Sequence, residues 1–498
     1  DLTAVATRDR KKYEMIETTG SNFAANGNTT LGINGLHKAT VQKVNMDNNQ
    51  RSNIGYLGRA SYSYDDRYFF TGSYRRDGAS VFGVNQKWGD FFAFGGAWRL
   101  SSEKFMSSIS YLDDLKLKLS WGKNGNQGVD PYGTLSTINN GASGGVRYEF
   151  GGSDIIYGLN QKALGNANLG WETTESWNTG FESAWLGSRL FVDLDLYFSK
   201  TTDQIFTRDI PVMTGFKNMK SSMGQVNNRG VELTIRSVNI DTQDWYWTTN
   251  LTFWLNRNKL IHLYGEDLDG DGREDDDISN SRFIGKPLGA IYGYLQDGIV
   301  QETDVEYMKA NGATPGIPKY KDMDNDGVIT SADRIILGYS TPNFKLNMSN
   351  TITYKNWDLY FMLTGTFGGG GYYQKSNKGA YLTNGSGRFN TNGIYIPWWT
   401  PENKSNEYPA ATFNDDGGRF LGLQNRAFVR LQDVTLSYTF REPWVQKVNI
   451  QNLKVFFTTK NLFTITKWQG GDPEVGVTVS ENTYPVLTSF SLGANISF

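Results

Sequence analysis

The hydrophobic and polar positions of this chain alternate, over segment after segment, with the period of two that a β-strand imposes. In the final stretch, Phe490, Leu492, Ala494, Ile496 and Phe498 fall on one face, and Ser489, Ser491, Gly493, Asn495 and Ser497 on the other. Phe92, Phe94, Trp98 and Leu100 alternate with Ala93, Gly95, Ala97 and Arg99, and Leu115, Leu117, Leu119 and Trp121 with Lys116, Lys118 and Ser120. Val192, Leu194, Leu196 and Phe198 oppose Asp193, Asp195 and Tyr197. Carboxylates in mid-strand are costly in a dry core and cheap against water. The pattern predicts about fourteen strands. The first is an ambiguous one over 7–17, followed by a Gly/Asn-rich loop. The rest cover 54–64, 67–76, 88–100, 115–121, 171–185, 189–200, 230–238, 245–255, 344–354, 357–367, 428–440, 453–462 and 486–498.

The connections sort into two alternating classes. Counting back from Phe498, long segments (256–343, 368–426) exchange with short ones (441–452, Lys355-Asn356, 240–243, Gly187-Ser188, Asp65-Asp66). Trp185, Trp245, Tyr354, Trp357, Tyr64 and Tyr68 stand beside the short turns, as an aromatic girdle would. Strands of membrane length, apolar on one face, with short turns at one end and long loops at the other, predict an all-β transmembrane antiparallel barrel. A β-propeller or tandem sandwiches also show short alternating strands, but a propeller repeats every ~40–50 residues, and the hairpin spacing here is irregular.

Composition fits the barrel. Apolar residues are 38 %, aromatics 14 %, with 56 Gly and 27 Tyr, and mean hydropathy is −0.49. A soluble chain of 498 residues would carry a richer aliphatic core, and no run of about 18 apolar residues offers a transmembrane helix. A formal net charge of −2 gives no electrostatic case for nucleic acid. With no cysteine there is no disulfide, thiolate nucleophile or zinc–thiolate site. The first residue is Asp1, with no basic and apolar leader, so a secretion signal is expected to have been removed or to lie upstream.

The sharpest local motif is Asp322-x-Asp324-x-Asp326-Gly327-Val328-x-Thr330-x-x-Asp333. Oxygens at positions 1, 3, 5, 7 (the Val328 carbonyl), 9 and 12, with Gly at 6, form the spacing of a calcium loop, here with Asp in place of Glu at 12. A second run, Asp267, Asp269 and Asp271 with Arg273 at position 7 and Asp275 at position 9, has Ile278 at position 12; Asp275, Asp276 and Asp277 are the candidate substitutes. Solvated acidic turns are the alternative for both. The expected role of Ca2+ is to rigidify one long loop. Catalysis has little support: Gly141-Ala142-Ser143-Gly144-Gly145 fits a nucleophile elbow in letters but sits in a Gly/Asn-rich loop, and His37 and His262 are the only imidazoles. His262 reads as a polar contact at a loop base. Tyr372, Tyr373, Tyr381, Trp398 and Trp399 are read first as loop packing and second as a stacking surface.

Several blocks resemble the SusC-like branch of TonB-dependent outer-membrane transporters. They are Tyr64-Asp65-Asp66-Arg67-Tyr68 with Arg75-Arg76-Asp77-Gly78-Ala79-Ser80-Val81-Phe82-Gly83; Ser120-Trp121-Gly122 with Gly125-Asn126-Gln127; Lys319-Tyr320-Lys321-Asp322 through Asp333-Arg334; and Asn461-Leu462-Phe463-Thr464 with Gly471-Asp472-Pro473-Glu474. The resemblance implies a Gram-negative outer-membrane importer of oligosaccharides or peptides, a SusD-like lipoprotein as lid, and the TonB complex acting through a plug. It also implies a barrel of about 22 strands, of which 1–498 would supply the C-terminal portion, the plug and N-terminal strands lying elsewhere. The alternatives are a passive porin or adhesin, and a soluble calcium-dependent carbohydrate enzyme of β architecture.

Overall fold

The computed structural model describes residues 1–23, 29–139, 147–149, 155–158, 160–216, 218–372, 397–410, 413, 423–441, 443–447, 450–468, 472–474 and 486–498. Fourteen strands form one sheet in which each pairs antiparallel with its sequence neighbour. They are β1 (Leu2–Ser21), β2 (Val41–Tyr64), β3 (Tyr68–Ala79), β4 (Trp88–Arg99), β5 (Leu112–Asn126), β6 (Glu172–Trp185), β7 (Leu190–Asp209), β8 (Asn218–Asp241), β9 (Trp245–His262), β10 (Phe344–Tyr354), β11 (Trp357–Phe367), β12 (Phe428–Phe440), β13 (Asn452–Thr466) and β14 (Ser489–Ser497). Within this sheet β1 pairs only with β2, and β14 only with β13.

The register carries the period of two across the whole sheet. Phe181 faces Leu117 on one side and Leu194 on the other; Leu359 faces Ile352 and Leu436; Phe457 faces Leu436 and Leu492. On this face the large apolar side chains stand open, with Leu119 54 %, Phe94 57 % and Leu492 79 % exposed. The opposite face carries the ions. Lys116 and Lys118 each lie 3.2 Å from Glu182, Lys118 lies 3.2 Å from Asp195, and Lys454 lies 2.8 Å from Asp358. A soluble sheet buries its apolar face; this one presents it outward, as a membrane wall does.

At the short turns, Asp65 and Asp66 both adopt positive φ, the twist a tight hairpin needs. The expected girdle is there in ring contacts: Tyr64–Tyr68, Tyr68–Trp98, Tyr111–Trp185, Trp245–Tyr354 and Trp357–Tyr438.

At the other end the strands outrun the sequence reading. β2 begins at Val41 where alternation starts near Ile54, β8 at Asn218 and not Gly230, and β9 runs to His262 and not Leu255. Residues 41–50, within the segment expected to be loop, pair along their length with β1. Beyond the hydrocarbon neither face has to be apolar, so backbone pairing continues while alternation lapses. The buried apolar clusters lie at this end too. Ala79, Val81, Phe82, Val129 and Leu169 form one, with Trp171 and Ile205 packed on it; Val226, Leu260 and Leu263 form another.

Candidate functional site

The connection from β9 to β10 is a small folded unit. Ala290–Tyr294 pairs with Arg334–Tyr339, and Gln296–Ile299 with Pro318–Tyr320; helix α1 (Val305–Asn311) lies between. Ile299 and Val300 are fully buried. The connection from β11 to β12 locks onto it: Ala410 N–H donates to the Gly316 carbonyl at 2.7 Å, Ile299 N–H to Asn406 Oδ1 at 3.0 Å, and Trp399 Nε1 to Gln301 Oε1 at 3.0 Å. Trp399 is therefore core, as its first reading had it. Gly370–Tyr372 pairs with Leu423–Asn425. Tyr373, Tyr381 and the elbow-like run 141–145 lie outside the described residues.

Both acidic motifs fold the same way within this unit. Asp322 accepts from Asn325 N–H (2.6 Å) and Gly327 N–H (2.8 Å), Asp324 from Asp326 N–H (3.3 Å), and Asp326 from Val328 N–H (2.8 Å). In the second motif Asp267 accepts from Gly270 N–H (2.8 Å) and Gly272 N–H (3.0 Å), Asp269 from Asp271 N–H (3.0 Å), and Asp271 from Arg273 N–H (2.8 Å). Positions 4 and 6 take positive φ in both: Asn325 at 64° and Gly327 at 87°, Gly270 at 75° and Gly272 at 82°.

The closing residue differs. In the first loop the position-2 amide, Met323 N–H, donates to Asp333 at 2.6 Å; in the second, Leu268 N–H donates to Asp275 at 2.6 Å. Asp275, three residues nearer, does what Asp333 does. Ile278 at position 12 is exposed, Asp276 accepts from Ile284 N–H, and Asp277 is paired with Arg282 at 3.2 Å. Carboxylate oxygens of Asp322, Asp324 and Asp333 lie within 4.8 Å of one another, as do those of Asp267, Asp269 and Asp275. Asp326 and Asp271 stand outside these triads. Thr330 caps the turn at Ser331–Asp333 by accepting from Ala332 N–H.

The first triad is electrostatically divided. Asp333 is buried, and the N–H groups of Thr330 and Met323 hold its carboxyl below the ordinary range. Asp324 is pushed up, by desolvation first and by the neighbouring Asp326 and Asp333 charges next. A hard cation between them would remove that repulsion.

His262 lies 2.7 Å from Glu274, which also accepts from Leu263 and Gly265 N–H at 2.7 Å each. Burial opposes ionisation of Glu274, but those donors outweigh it and hold its carboxyl low. This is a brace at the base of the loop, as expected of His262.

One polar group was missed by sequence reasoning. Arg430, buried high on the ion-bearing face of β12, lies 2.5 Å from the buried Asp472 and 3.0 Å from Glu474, and donates to Thr464 Oγ1 at 3.0 Å. The Asp472-Pro473-Glu474 block carried the resemblance. Its partner lies far back in the sequence and no local signal joins them.

Comparison with known proteins agrees with this geometry. Residues 8–462 match the family "TonB dependent receptor-like, beta-barrel". The chain is 30 % identical over 478 residues to TonB-dependent receptor SusC of Bacteroides thetaiotaomicron (93 % of this chain, 45 % of that protein). It is 29 % identical over 469 residues to TonB-dependent receptor P3 of Formosa agariphila (90 % and 46 %). Among solved structures, one described as the RagAB peptide transporter superposes with a TM-score of 0.78 at 22 % identity, covering 100 % of this chain and 53 % of that one; at that identity the likeness is one of fold. The chain thus spans about half the length of the curated relatives it matches. It belongs to the TonB-dependent receptor β-barrel family, in the SusC-type branch, whose members are outer-membrane proteins of Gram-negative bacteria.

Proposed function

We propose that residues 1–498 form the C-terminal part of the barrel wall of an active importer, and that the remaining strands and a plug domain lie outside this segment. The observation that carries the reading is a sheet of fourteen strands, apolar outward, with one partner each for β1 and β14. Lipid offers nothing to an unpaired strand edge, so such a wall persists in a bilayer only when further strands close it. The half-length match to the relatives supports this.

Within that reading the short turns face the periplasm and the folded loops face outward. The plug fills the lumen and meets the TonB complex below, which supplies the energy. The packed unit of 263–343 with 397–410 offers a rim on which a SusD-like lipoprotein closes as lid. The cargo is an oligosaccharide or a peptide. A passive porin of the same fold needs neither lid nor TonB. Purification of the complex from native membranes in detergent, with identification of every co-purifying protein, is the direct test. A plug-bearing segment and a surface lipoprotein are expected; recovery of a lone 55.9 kDa chain would refute it. Uptake that survives loss of TonB would favour the porin.

The same loop unit, we infer, binds two Ca2+ ions as structural staples. Asp322, Asp324, Asp333 and the Val328 carbonyl hold one; Asp267, Asp269, Asp275 and the Arg273 carbonyl hold the other. Affinities of roughly 10⁻⁴–10⁻³ M are typical of extracellular calcium modules. Calorimetric titration of chelator-stripped protein should show two sites. Asp322→Asn should remove the first alone and Asp267→Asn the second alone. Absence of any calcium heat would leave both as solvated acidic turns.

A further inference from the structure

The outward face of β1–β4 combines an apolar groove with a basic rim. Its even-numbered positions on β1–β3 face lipid, as the exposed Tyr56, Tyr62 and Tyr64 show. Where neighbouring strands carry bulky side chains, here stand Ala4, Gly58, Ala60 and Gly72, rimmed by Phe92 and Phe94, and they leave a groove of about 630 Å³. The register places Ala4 beside Gly58 and Gly58 beside Tyr74. A side chain added at Gly58 would meet nothing within 4 Å, so the groove is open at its floor.

Directly above the groove the same face turns basic. The next outward row, one repeat of about 7 Å higher, is Ala6–Tyr56–Arg76, and above it come Arg8, then Arg10, then Lys12. Arg10 Nη2 donates to Gln50 Oε1 at 2.9 Å, which fixes its guanidinium on this face but spends it on a neutral amide. Arg8 stands across from Ile54. Lys12 is paired with Glu14, and Arg76 lies 3.5 Å from Asp90. Four cations against two carboxylates leave net positive charge on the lipid side of the rim. Guanidinium groups bind phosphate through two parallel N–H donors.

We propose that this face seats a phosphorylated glycolipid of the outer leaflet, one acyl chain lying in the glycine-floored groove and its headgroup phosphate on Arg8 and Arg10. The proposal rests on the orientation given above, with the long loops outside. The strand that pairs with β1 in the closed barrel joins it edge to edge and leaves this face uncovered.

The test uses the full-length transporter in nanodiscs, doped with diphosphorylated lipid A or with its dephosphorylated counterpart. Lipid retained through detergent washing is counted by native mass spectrometry. The wild type should retain the diphosphorylated form selectively. Arg8→Glu/Arg10→Glu should reduce that retention on the order of tenfold and leave the dephosphorylated lipid unchanged. Gly58→Trp, whose Cβ meets nothing within 4 Å and whose ring occupies the groove, should reduce both. Heat-modifiable gel mobility reports whether each variant is folded. Equal retention of the two lipids, wild-type retention by either folded variant, or displacement by millimolar inorganic phosphate would overturn the assignment. A chain that never enters the nanodisc would instead refute the barrel reading on which it depends.

Discussion

The wall and the loop crown of this molecule handle apolar side chains in opposite ways. In the wall, Leu119, Phe94 and Leu492 are more than half exposed, while Lys116, Lys118 and Glu182 on the other face are engaged with one another. In the crown, Phe82, Leu169, Ile299 and Val300 are all but inaccessible and the charges lie on loops. One chain therefore follows two rules, because two solvents surround it. The crown folds by the hydrophobic effect, with water outside. The wall is solvated by hydrocarbon, so its stability comes from closed backbone pairing and from excluding charge from its outer face. A substitution should thus have consequences set by region and face more than by residue type.

The largest effect should come from the crown. Phe82→Ala removes a side chain that is 2 % exposed and packed among Ala79, Val81, Val129 and Leu169. It should cost about 3–5 kcal/mol locally. Limited proteolysis should then cut between β5 and β6 while the barrel keeps its heat-modifiable mobility. Loss of the barrel band together with the loop would show the two regions to be one cooperative unit. Next in size, Leu119→Arg puts a charge on the lipid face and should cost about 2–4 kcal/mol of membrane stability near mid-bilayer. Ser120→Arg, one residue on and facing the lumen, should be nearly silent. Urea unfolding in lipid vesicles measures both; similar losses from the two would break the assignment of faces.

The same two-solvent division decides what the sequence discloses. Phe344–Tyr354, Trp357–Phe367 and Phe428–Phe440 are read to the residue, because lipid on one side and water on the other enforce strict alternation within the bilayer. Val41–Arg51 and Asn218–Asn227 are invisible to that reading, because above the membrane both faces meet polar surroundings and pairing is carried by the backbone. The acidic loops are legible because a turn with positive φ at positions 4 and 6 and inward carboxylates is written in adjacent residues. That Asp275 closes the second loop depends on its hydrogen bond to Leu268 N–H, a choice among three aspartates that spacing leaves open. Arg430 with Asp472 is a contact between distant segments, and no periodicity marks it.

Within the crown, two carboxylates of one triad should respond oppositely. Asp333 has a depressed pKa, so its stabilisation is present above the ordinary carboxylate value and is lost as pH falls through the lower folded value. Asp324 has a raised pKa, so its proton returns first on acidification. Calcium affinity should therefore decline as soon as pH enters the upper carboxylate range, before the loop itself loosens. Asp333→Asn should destabilise the loop by about 1.5–3 kcal/mol, the worth of charge-assisted hydrogen bonds. Asp324→Asn, in chelator, should leave it unharmed or slightly more stable. Hydrogen exchange at the Met323 and Thr330 amides, with and without calcium, distinguishes the two. Equal damage from both would mean that Asp324 is not held against repulsion.

The smallest effect should be at the lumen ladder, and it tests the contrast most finely. Glu182 bridges Lys116 and Lys118 at 3.2 Å each, with its side chain 44 % exposed. If the face is wet, these are screened surface pairs, and Glu182→Gln should cost no more than about 1 kcal/mol. The cost should shrink as salt is raised, because the Debye length falls from about 10 Å at 0.1 M to about 3 Å at 1 M. Urea midpoints at the two ionic strengths give the difference. A loss several times larger and indifferent to salt is the signature of buried pairs that lose one partner, about 3–5 kcal/mol. That outcome would make the inner face dry, and the opposition between a hydrocarbon-solvated exterior and a water-solvated interior would have to be withdrawn.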